Sequence, residues 1–458
     1  MRKVLLFSVL LLAGLLGSQW LPRMAGPAWE PVADGIRVLT MAGLSFIMIH
    51  VGYEFDLDKS NLRRYAWDYV VAFTAASFPW IFVTLYFVFV LLPPAVWWTP
   101  AAWQETLLAA RFAAPTSAGV LFSMLAAAGL GATWLYRKAR ILAIFDDLDT
   151  VLLMIPLKMA MIGLAWQLGL IAVVMVVMLA IAYRYLHAVR LPVSWPWVLG
   201  YAGVITAASE IVYKASTIID DSVPVHVEVL LPAFVLGCVL AYPDPKTDGG
   251  GPSHAEGHGD AHTVLDAPAE RRVATIVAAA FMVLVGLSMP LIVGGETVPA
   301  AGAVRAKMEP SLRAAGAPAA EAAVAAAGRA AAIGRVTAAQ PPPGWWLIAL
   351  HVLLVTVLSN LGKMFPAFCY RREADWRERL ALAVGMWPRG EVGAGVLVIA
   401  LSYGIGGPVV TIAMLSLALN LVLTGAFIYV VRRLTAAERG GGVAGPMALG
   451  PAGGAIDG

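Results

Sequence analysis

Residues 144–149 read Ile-Phe-Asp-Asp-Leu-Asp, and a wholly apolar run through Leu157 follows them. The apolar residues around these acids are numerous enough to form a helix of the ~20 residues that cross a ~30 Å hydrocarbon core. A charged side chain at the centre of such a helix costs about 2.5–3.5 kcal/mol on translocon scales, so ionisable groups at this depth are candidates for function. The segment therefore predicts a membrane helix that carries a functional acidic pair, Asp146 and Asp147.

The composition of the whole chain is that of a membrane protein. Of its 458 residues, 60% are hydrophobic and 13% charged, which a water-soluble protein of this length would not tolerate on its surface. A net charge of +3, spread over short basic clusters, does not indicate a nucleic-acid partner. Cys238 and Cys369 lie far apart in or beside apolar segments, so neither a disulfide framework nor a zinc site is indicated.

The apolar runs predict an all-α, polytopic protein with about twelve membrane-spanning helices. The predicted spans cover roughly residues 4–20, 36–54, 67–92, 105–127, 138–159, 161–183, 195–213, 225–241, 272–294, 345–368, 380–402 and 408–431. The first span could be a cleaved signal peptide, but no small-x-small site closes it cleanly before Gln19 and Trp20, so a retained helix is favoured.

Basic residues mark every second boundary between the spans, which predicts the orientation of the chain. The basic positions are Arg2, Lys3, Lys59, Arg63, Arg64, Arg137, Lys138, Arg140, Arg184, Arg190, Lys246, Arg271, Arg272, 371–379, Arg432 and Arg433. Because Lys and Arg are retained on the cytoplasmic side, we expect a multi-pass protein of the cell inner membrane with both termini in the cytoplasm.

Two long loops divide the chain. The predicted units are an N-terminal membrane half (1–241, with core helices in 67–159), a Gly/His-rich cytoplasmic loop (242–271), a transmembrane helix (272–294), an Ala-rich extracytoplasmic insertion (295–344), C-terminal core helices (345–432) and a disordered cytoplasmic tail (433–458).

The first loop carries His254, His258 and His262 at four-residue spacing. Metal binding is one interpretation, and a solvated linker is favoured because glycines around the histidines argue against a preformed site. The second loop is interpreted as a helical insertion whose purpose the sequence does not indicate.

Asp146 and Asp147 cannot both bind one ligand equally well, because adjacent residues of a helix point about 100° apart. One aspartate can hold a cation while the other meets a basic partner, and a carboxylate at this depth cannot hold a proton and a cation together. The alternative places the acids at a cytoplasmic helix end, since Arg137 to Arg140 lie just upstream and Asp149 adds a third acid.

Three further segments place polar groups in apolar spans. Pro115 precedes Thr116 and Ser117 in the fourth span, where a proline break exposes backbone carbonyls suited to sodium. Lys363 lies several residues inside the tenth span, although alone it could snorkel to the interface. The eleventh span opens with Arg389 and Glu391 among proline and glycine residues, and an interfacial salt bridge is the simpler interpretation of that pair.

The predicted orientation gives the third to fifth spans the opposite direction to the tenth to twelfth. This is the arrangement of an inverted-topology repeat, in which the fourth and eleventh helices are both broken and occupy corresponding positions.

With these residues assembled, the chain resembles the sodium/hydrogen exchanger superfamily, and within it the bacterial electrogenic sodium/proton antiporters of the second monovalent cation:proton antiporter family. The resemblance covers about residues 36–432 without the two loops. The matching pieces, in order, are Gly52-Tyr53-Glu54-Phe55-Asp56, Thr116-Ser117, Asp146-Asp147, Val225-His226, Ala233-Phe234, Gly237, Gly362-Lys363 and Pro388-Arg389-Gly390-Glu391.

The resemblance implies roles for most of these residues. Asp147 would bind the cation (Na+ or Li+) or the proton, and Asp146 would pair with Lys363. Thr116 and Ser117 would line the crossing of the broken helices.

Arg389 and Glu391 would brace the core domain. Members with an Asp-Asp pair and this lysine tend to be electrogenic, which implies two protons per sodium. The family fold implies a homodimer in which a moving six-helix core gives elevator-like alternating access.

The function expected is therefore Na+(Li+)/H+ antiport, with no enzyme activity, no cofactor beyond the transported ions, and monovalent cations, protons and the lipid bilayer as partners. Alternatives are a K+/H+ antiporter of the same superfamily, an intramembrane hydrolase with the aspartates as an acid/base pair, and a non-transporting membrane sensor. Asp149, Pro115 and the insertion 295–344 depart from the family pattern.

Overall fold

The computed structural model describes residues 2–53, 55, 62–162, 166–219, 229–241, 268–289 and 335–441. Within these ranges the regular elements are helices joined by turns and short extended segments, and Val189 and Leu240 form an isolated parallel β-bridge. The predicted all-α, polytopic fold is confirmed. The histidines of the first loop, most of the insertion, and Glu54, Asp56, Val225 and His226 lie outside the described residues.

Sixteen α-helices are described. They are α1 Arg2–Ala25, α2 Trp29–Tyr53, α3 Leu62–Tyr86, α4 Pro100–Ala110, α5 Ala118–Ala127, α6 Trp134–Ile162, α7 Trp166–Arg184, α8 Trp195–Ile219, α9 Leu230–Val239, α10 Pro268–Leu287, α11 Arg335–Ala338, α12 Trp345–Gly362, α13 Phe365–Phe368, α14 Trp376–Gly385, α15 Glu391–Ser402 and α16 Gly407–Gly441.

Six helical stretches of the described chain are long and apolar enough to cross a membrane by themselves. They are Arg2–Ala25, Pro31–Tyr53, Tyr65–Leu91, Pro100–Ala127, Trp345–Phe368 and Gly407–Ala436, and shorter apolar helices lie at Gly169–Arg184, Leu230–Val239 and Val392–Leu401. Each of the roughly twelve predicted spans overlaps at least one described helix. Helix α6 is not among these stretches, because it carries the acids and basic residues quoted above.

Two predicted boundaries differ from the structure. Helix α16 continues to Gly441, so the first part of the segment predicted as a disordered tail from residue 433 is helical. Leu, Ala, Glu and Arg, which favour helices in water, follow Arg433, so the helix extends past its apolar part. Helix α10 begins at Pro268, inside the segment predicted as a loop up to residue 271.

The helices pack in two groups that meet at α1 and α5. Helices α3, α6, α12, α14 and α16 pack on one another, with α4 and α15 packed among them, and α5 contacts α6. Helix α2 packs against α8, α9 and α10. Helix α1 packs against α10 and also touches α16.

Close approach of helices depends on glycine at two of these contacts. A side chain on Gly14 or Gly286 would overlap the backbone of the other helix in the α1–α10 pair. Gly52 and Gly237 have the same relation in the α2–α9 pair, so two segments on which the family resemblance rests lie in direct contact. Small residues of this kind allow the backbones of membrane helices to pack at van der Waals distance.

The fourth and eleventh predicted spans are both interrupted. After α4 the chain makes one 3-10 turn and is extended at Ser117, the N-cap of α5, whose hydroxyl accepts a hydrogen bond from the Val120 amide at 3.4 Å. Between α14 and α15 the chain runs through Pro388, which has no N–H to donate. The Ser117 amide donates to the Pro388 carbonyl at 3.0 Å, so the two interruptions cross at this point.

Candidate ion-binding site

Asp146 is held at the crossing of the two broken helices. Its Oδ2 atom accepts a hydrogen bond from the Thr116 amide at 2.8 Å and lies 2.7 Å from the Lys363 ammonium. Lys363 also donates to the Thr116 hydroxyl at 3.0 Å, and that hydroxyl donates to the Met386 carbonyl at 3.0 Å. Asp146, Thr116 and Lys363 are all fully buried. The structure thus joins both interrupted segments to α6 through one charged cluster.

Lys363 reaches this position because α12 ends directly before it. Gly362 is the last helical residue, and a side chain there would overlap the backbone of Pro79 in α3, so glycine permits the close approach of the two helices. The ammonium therefore does not snorkel to the membrane interface, which was the alternative raised by the sequence. A cation at the C-terminal end of α12 is also favoured by the partial negative charge of the helix terminus.

Asp147 follows Asp146 near the middle of the 29-residue helix α6 and is only 4% exposed. Because adjacent helical side chains diverge by about 100°, it faces a different direction from the Lys363 ion pair. Asp149, one turn beyond Asp146, is fully buried as well. The alternative in which these acids form a solvated helix end is therefore wrong.

Arg389 uses all five of its N–H groups within the core. Nε and Nη2 donate to the Ala113 carbonyl at 3.0 and 2.9 Å, and Nη2 donates also to the Ser359 carbonyl at 2.9 Å. Nη1 donates to Asn360 Oδ1 at 2.9 Å and to the Trp387 carbonyl at 2.8 Å. A fully buried guanidinium thus connects the end of α4, the last turn of α12 and the eleventh span.

The other predicted site residues have a less complete description. Ser117 is buried and caps α5, and its amide forms the crossing contact with Pro388. Glu391 is the first residue of α15, but its side chain lies outside the described positions. The structure therefore brings together Asp146, Thr116 and Lys363 directly and places Arg389 beside them through shared backbone segments.

Sequence reasoning did not single out the buried ion pairs at the N-terminal end of α6. Lys138 was used there only as a marker of topology. Its ammonium lies 2.9 Å from Asp68 and 3.1 Å from Glu373, and 4.3 Å from the centre of the Tyr370 ring. Asp68 is a single acid near the start of an apolar span, and an isolated acid in such a span indicates a buried basic partner or a functional role.

Arg111 is a further buried cation that sequence reasoning missed. It is fully buried at the end of α4, donates to the Asp149 carbonyl at 3.0 Å, and lies 4.5 Å from the Trp80 ring centre. The signal was present, since Arg111 is a lone basic residue in the middle of a predicted span.

Comparison with known proteins places the chain in a family. A search of curated proteins found no match. Among solved structures, the sodium proton antiporter MjNhaP1 from Methanocaldococcus jannaschii matches with 15% identity over 94% of this chain and 91% of that one, at a TM-score of 0.47. The family profile described as sodium/hydrogen exchanger, transmembrane, matches residues 3–432. Because that match covers nearly the whole sequence, the protein belongs to the transmembrane sodium/hydrogen exchanger family.

Proposed function

We propose that the protein exchanges Na+ or Li+ for H+ across the cell inner membrane, with both termini in the cytoplasm. Membership of the sodium/hydrogen exchanger family makes it a multi-pass cation/proton antiporter. The observation that carries the finer proposal is the buried cluster of Asp146, Thr116 and Lys363 at the crossing of two interrupted helices, directly beside Asp147.

In this proposal Asp147 is the residue at which cation and proton compete. Its carboxylate is buried at the level of the crossing, where interrupted helices expose backbone groups of the kind that bind ions in transporters. A small carboxylate site that takes a sodium ion has to release its proton first. Mutual exclusion at one carboxylate is sufficient to couple the two ion fluxes.

The Asp146–Lys363 pair keeps the net charge beside Asp147 close to zero when the site is empty. A sodium ion at Asp147 repels the ammonium of Lys363, so we propose that this pair opens and closes during the cycle. Opening it provides a route to a second proton per cation, which would make exchange electrogenic. Thr116 holds Asp146 through its amide and thus limits how far the carboxylate can move.

Alternating access is proposed to involve movement of the helices around the crossing relative to α2, α8 and α9, in a homodimer. The network around Arg389 ties α4, α12 and the eleventh span together, so these parts would move as one body. Ser117 contributes to the same body through the Pro388 contact.

The test is proton movement in proteoliposomes containing purified protein. Vesicles are loaded at acid pH with a pH-sensitive dye, and NaCl, LiCl, KCl or choline chloride is added outside. The proposal expects sodium and lithium to alkalinise the lumen in the wild type, and Asp147→Asn to abolish the response. Asp34→Asn is the matched control, because the Asp34 side chain is 76% exposed and lies in α2.

A response to potassium alone would replace this proposal with the K+/H+ antiporter. If no salt changes the luminal pH, although thermal unfolding shows that the protein is folded, the non-transporting sensor is favoured. Electrogenicity is read separately as a current after a sodium jump on a solid-supported membrane, and its absence in the wild type would remove the two-proton stoichiometry.

A further inference from the structure

Arg111 is a buried cation for which the exchange reaction described above has no use. Its Nη2 atom donates to the backbone carbonyl of Asp149, and its guanidinium stacks over Trp80. Nε and Nη1 have no hydrogen-bond partner among the described residues. Arg389 differs, because all its donors are used by carbonyl and amide oxygens. The main contribution of Arg111 to the core is therefore its positive charge and not its hydrogen bonds.

Asp149 is the acid that this charge faces. It is fully buried, and the Tyr69 hydroxyl of α3 is the side-chain hydrogen-bonding group that acts on its carboxylate. The groups that act on it are Arg111, Tyr69 in α3, Asp146 one turn earlier in α6, and Lys363. Arg111 touches the backbone of the same residue, so it is the cation placed to offset Asp149.

The fixed charges of the core therefore fall into matched sets. Lys363 offsets Asp146 by direct contact. Arg111 interacts electrostatically with both Asp146 and Asp149, and its hydrogen bond to the Asp149 carbonyl places it against Asp149. Arg389 donates to the Ala113 carbonyl in the 3-10 turn that follows α4 and to the Ser359 carbonyl in the last turn of α12, and the C-terminal ends of helices carry partial negative charge. The remaining acid of the trio in α6 is Asp147, the proposed cation site.

We propose that Arg111 is a specificity-determining residue whose fixed positive charge offsets Asp149 and thereby keeps the site selective for monovalent cations. This rests on the proposed function, in which Asp147 binds the cation. Without Arg111 the core gains one net negative charge, and a divalent ion responds to that charge twice as strongly as a monovalent ion.

The expected effect follows from the helix geometry. Residues two positions apart lie on nearly opposite sides of a helix, so a cation at Asp147 is roughly 10 Å from the Arg111–Asp149 pair. At an effective dielectric constant of about 20, one unit of charge at that distance changes monovalent affinity roughly fifteenfold. Divalent affinity changes by the square of that factor, roughly two hundredfold.

The experiment measures binding of Na+, Ca2+ and Mn2+ to purified, detergent-solubilised protein by titration calorimetry. It is done at alkaline pH, where proton competition is weakest, and at constant ionic strength. The variants are Arg111→Gln, Asp149→Asn, the double variant, and Arg111→Lys, with Asp34→Asn as the control for loss of an exposed acid.

Arg111→Gln is expected to bind Na+ roughly fifteenfold more tightly than the wild type and to gain measurable divalent binding. Asp149→Asn alone is expected to weaken Na+ binding by a similar factor, while the double variant and Arg111→Lys return to wild-type selectivity. A merely structural role for Arg111 would weaken binding of every ion, and Asp149→Asn would not restore it.

The outcomes separate this inference from the proposed function. If the wild type binds no Na+, the proposed function is wrong and the inference is wrong with it. If the wild type binds Na+ but divalent selectivity is the same in Arg111→Gln and the wild type, the inference alone is wrong. If Arg111→Gln does not fold, unchanged Na+ affinity in Asp149→Asn overturns the inference in the same way.

Discussion

Replacing Lys363 by methionine removes the charge but keeps most of the length of the side chain. The ammonium is fully buried, 2.7 Å from Asp146 Oδ2 and 3.0 Å from the Thr116 hydroxyl. After the change, the Asp146 carboxylate keeps the Thr116 amide as a donor but loses its counter-charge. We therefore expect Lys363→Met to destabilise the fold and to abolish the sodium-induced current.

The size of the effect follows from the burial of the pair. Removal of one partner from a buried ion pair costs about 3–5 kcal/mol, because it leaves an uncompensated charge in a low-dielectric environment. At about 2 °C per kcal/mol, the low end for large domains, this corresponds to a fall of roughly 6–10 °C in the unfolding midpoint. A surface lysine should show almost no change, and exposed Lys3→Met is the control.

The assay is thermal unfolding in detergent at one scan rate, followed by the intrinsic fluorescence of the 15 tryptophans. A double-mutant cycle isolates the pair: Lys363→Met and Asp146→Asn each leave one buried charge, whereas the double variant leaves none. We expect the double variant to be more stable than either single variant, with a coupling energy of at least about 2 kcal/mol. Additive losses, or a wild-type midpoint for Lys363→Met, would refute the assigned pairing.

Three other changes test the surroundings of the site. Arg389→Lys can replace at most three of the five hydrogen bonds, so we expect a loss of several kcal/mol in the same unfolding assay, with transport abolished. Gly362→Ala should cost about 1–3 kcal/mol and strongly slow sodium-driven proton movement in vesicles, whereas Gly395→Ala, whose added carbon enters open space, should not. Asp68→Asn should lower stability by about 1–3 kcal/mol, because Glu373 still contacts Lys138, and should leave sodium and lithium selectivity in the vesicle assay unchanged.

The fold could be predicted to a large extent because the bilayer restricts the possible structures. A spanning segment must satisfy its own backbone hydrogen bonds, so apolar runs of sufficient length become helices. The two interruptions were also visible, since Pro115 and Pro388 stand beside polar or small residues inside apolar spans. The end of α16 could not be predicted from the apolar pattern. The residues after Arg433 favour a helix by propensity, so the helix continues after its apolar part has ended.

The sequence indicated a residue of the candidate site only where that residue is polar or charged within an otherwise apolar span. Asp146 and Lys363 are separated by 217 positions, and no local pattern indicates their contact. That contact was expected from the family resemblance. Lys138 was misjudged because a lysine near a helix end is ordinarily a solvated or snorkelling residue, whereas here Asp68 and Glu373 arrive from distant segments to bind it.

In the proposed exchange, the electrostatics of the crossing give a physical reason for coupling ion binding to proton release. The amide of Thr116, directly before the N-cap of α5, donates to Asp146, and Arg389 donates to carbonyls in the 3-10 turn after α4 and in the last turn of α12, where helix ends carry negative dipole charge. Asp146, Lys363 and Arg389 thus each face a charge or a helix dipole of the opposite sign at this crossing. A cation that enters this crossing adds a positive charge, and this charge must be balanced by the loss of another positive charge. The proton is the mobile charge available at a buried carboxylate, so in the proposed exchange Asp147 accepts a cation at low cost only by releasing a proton.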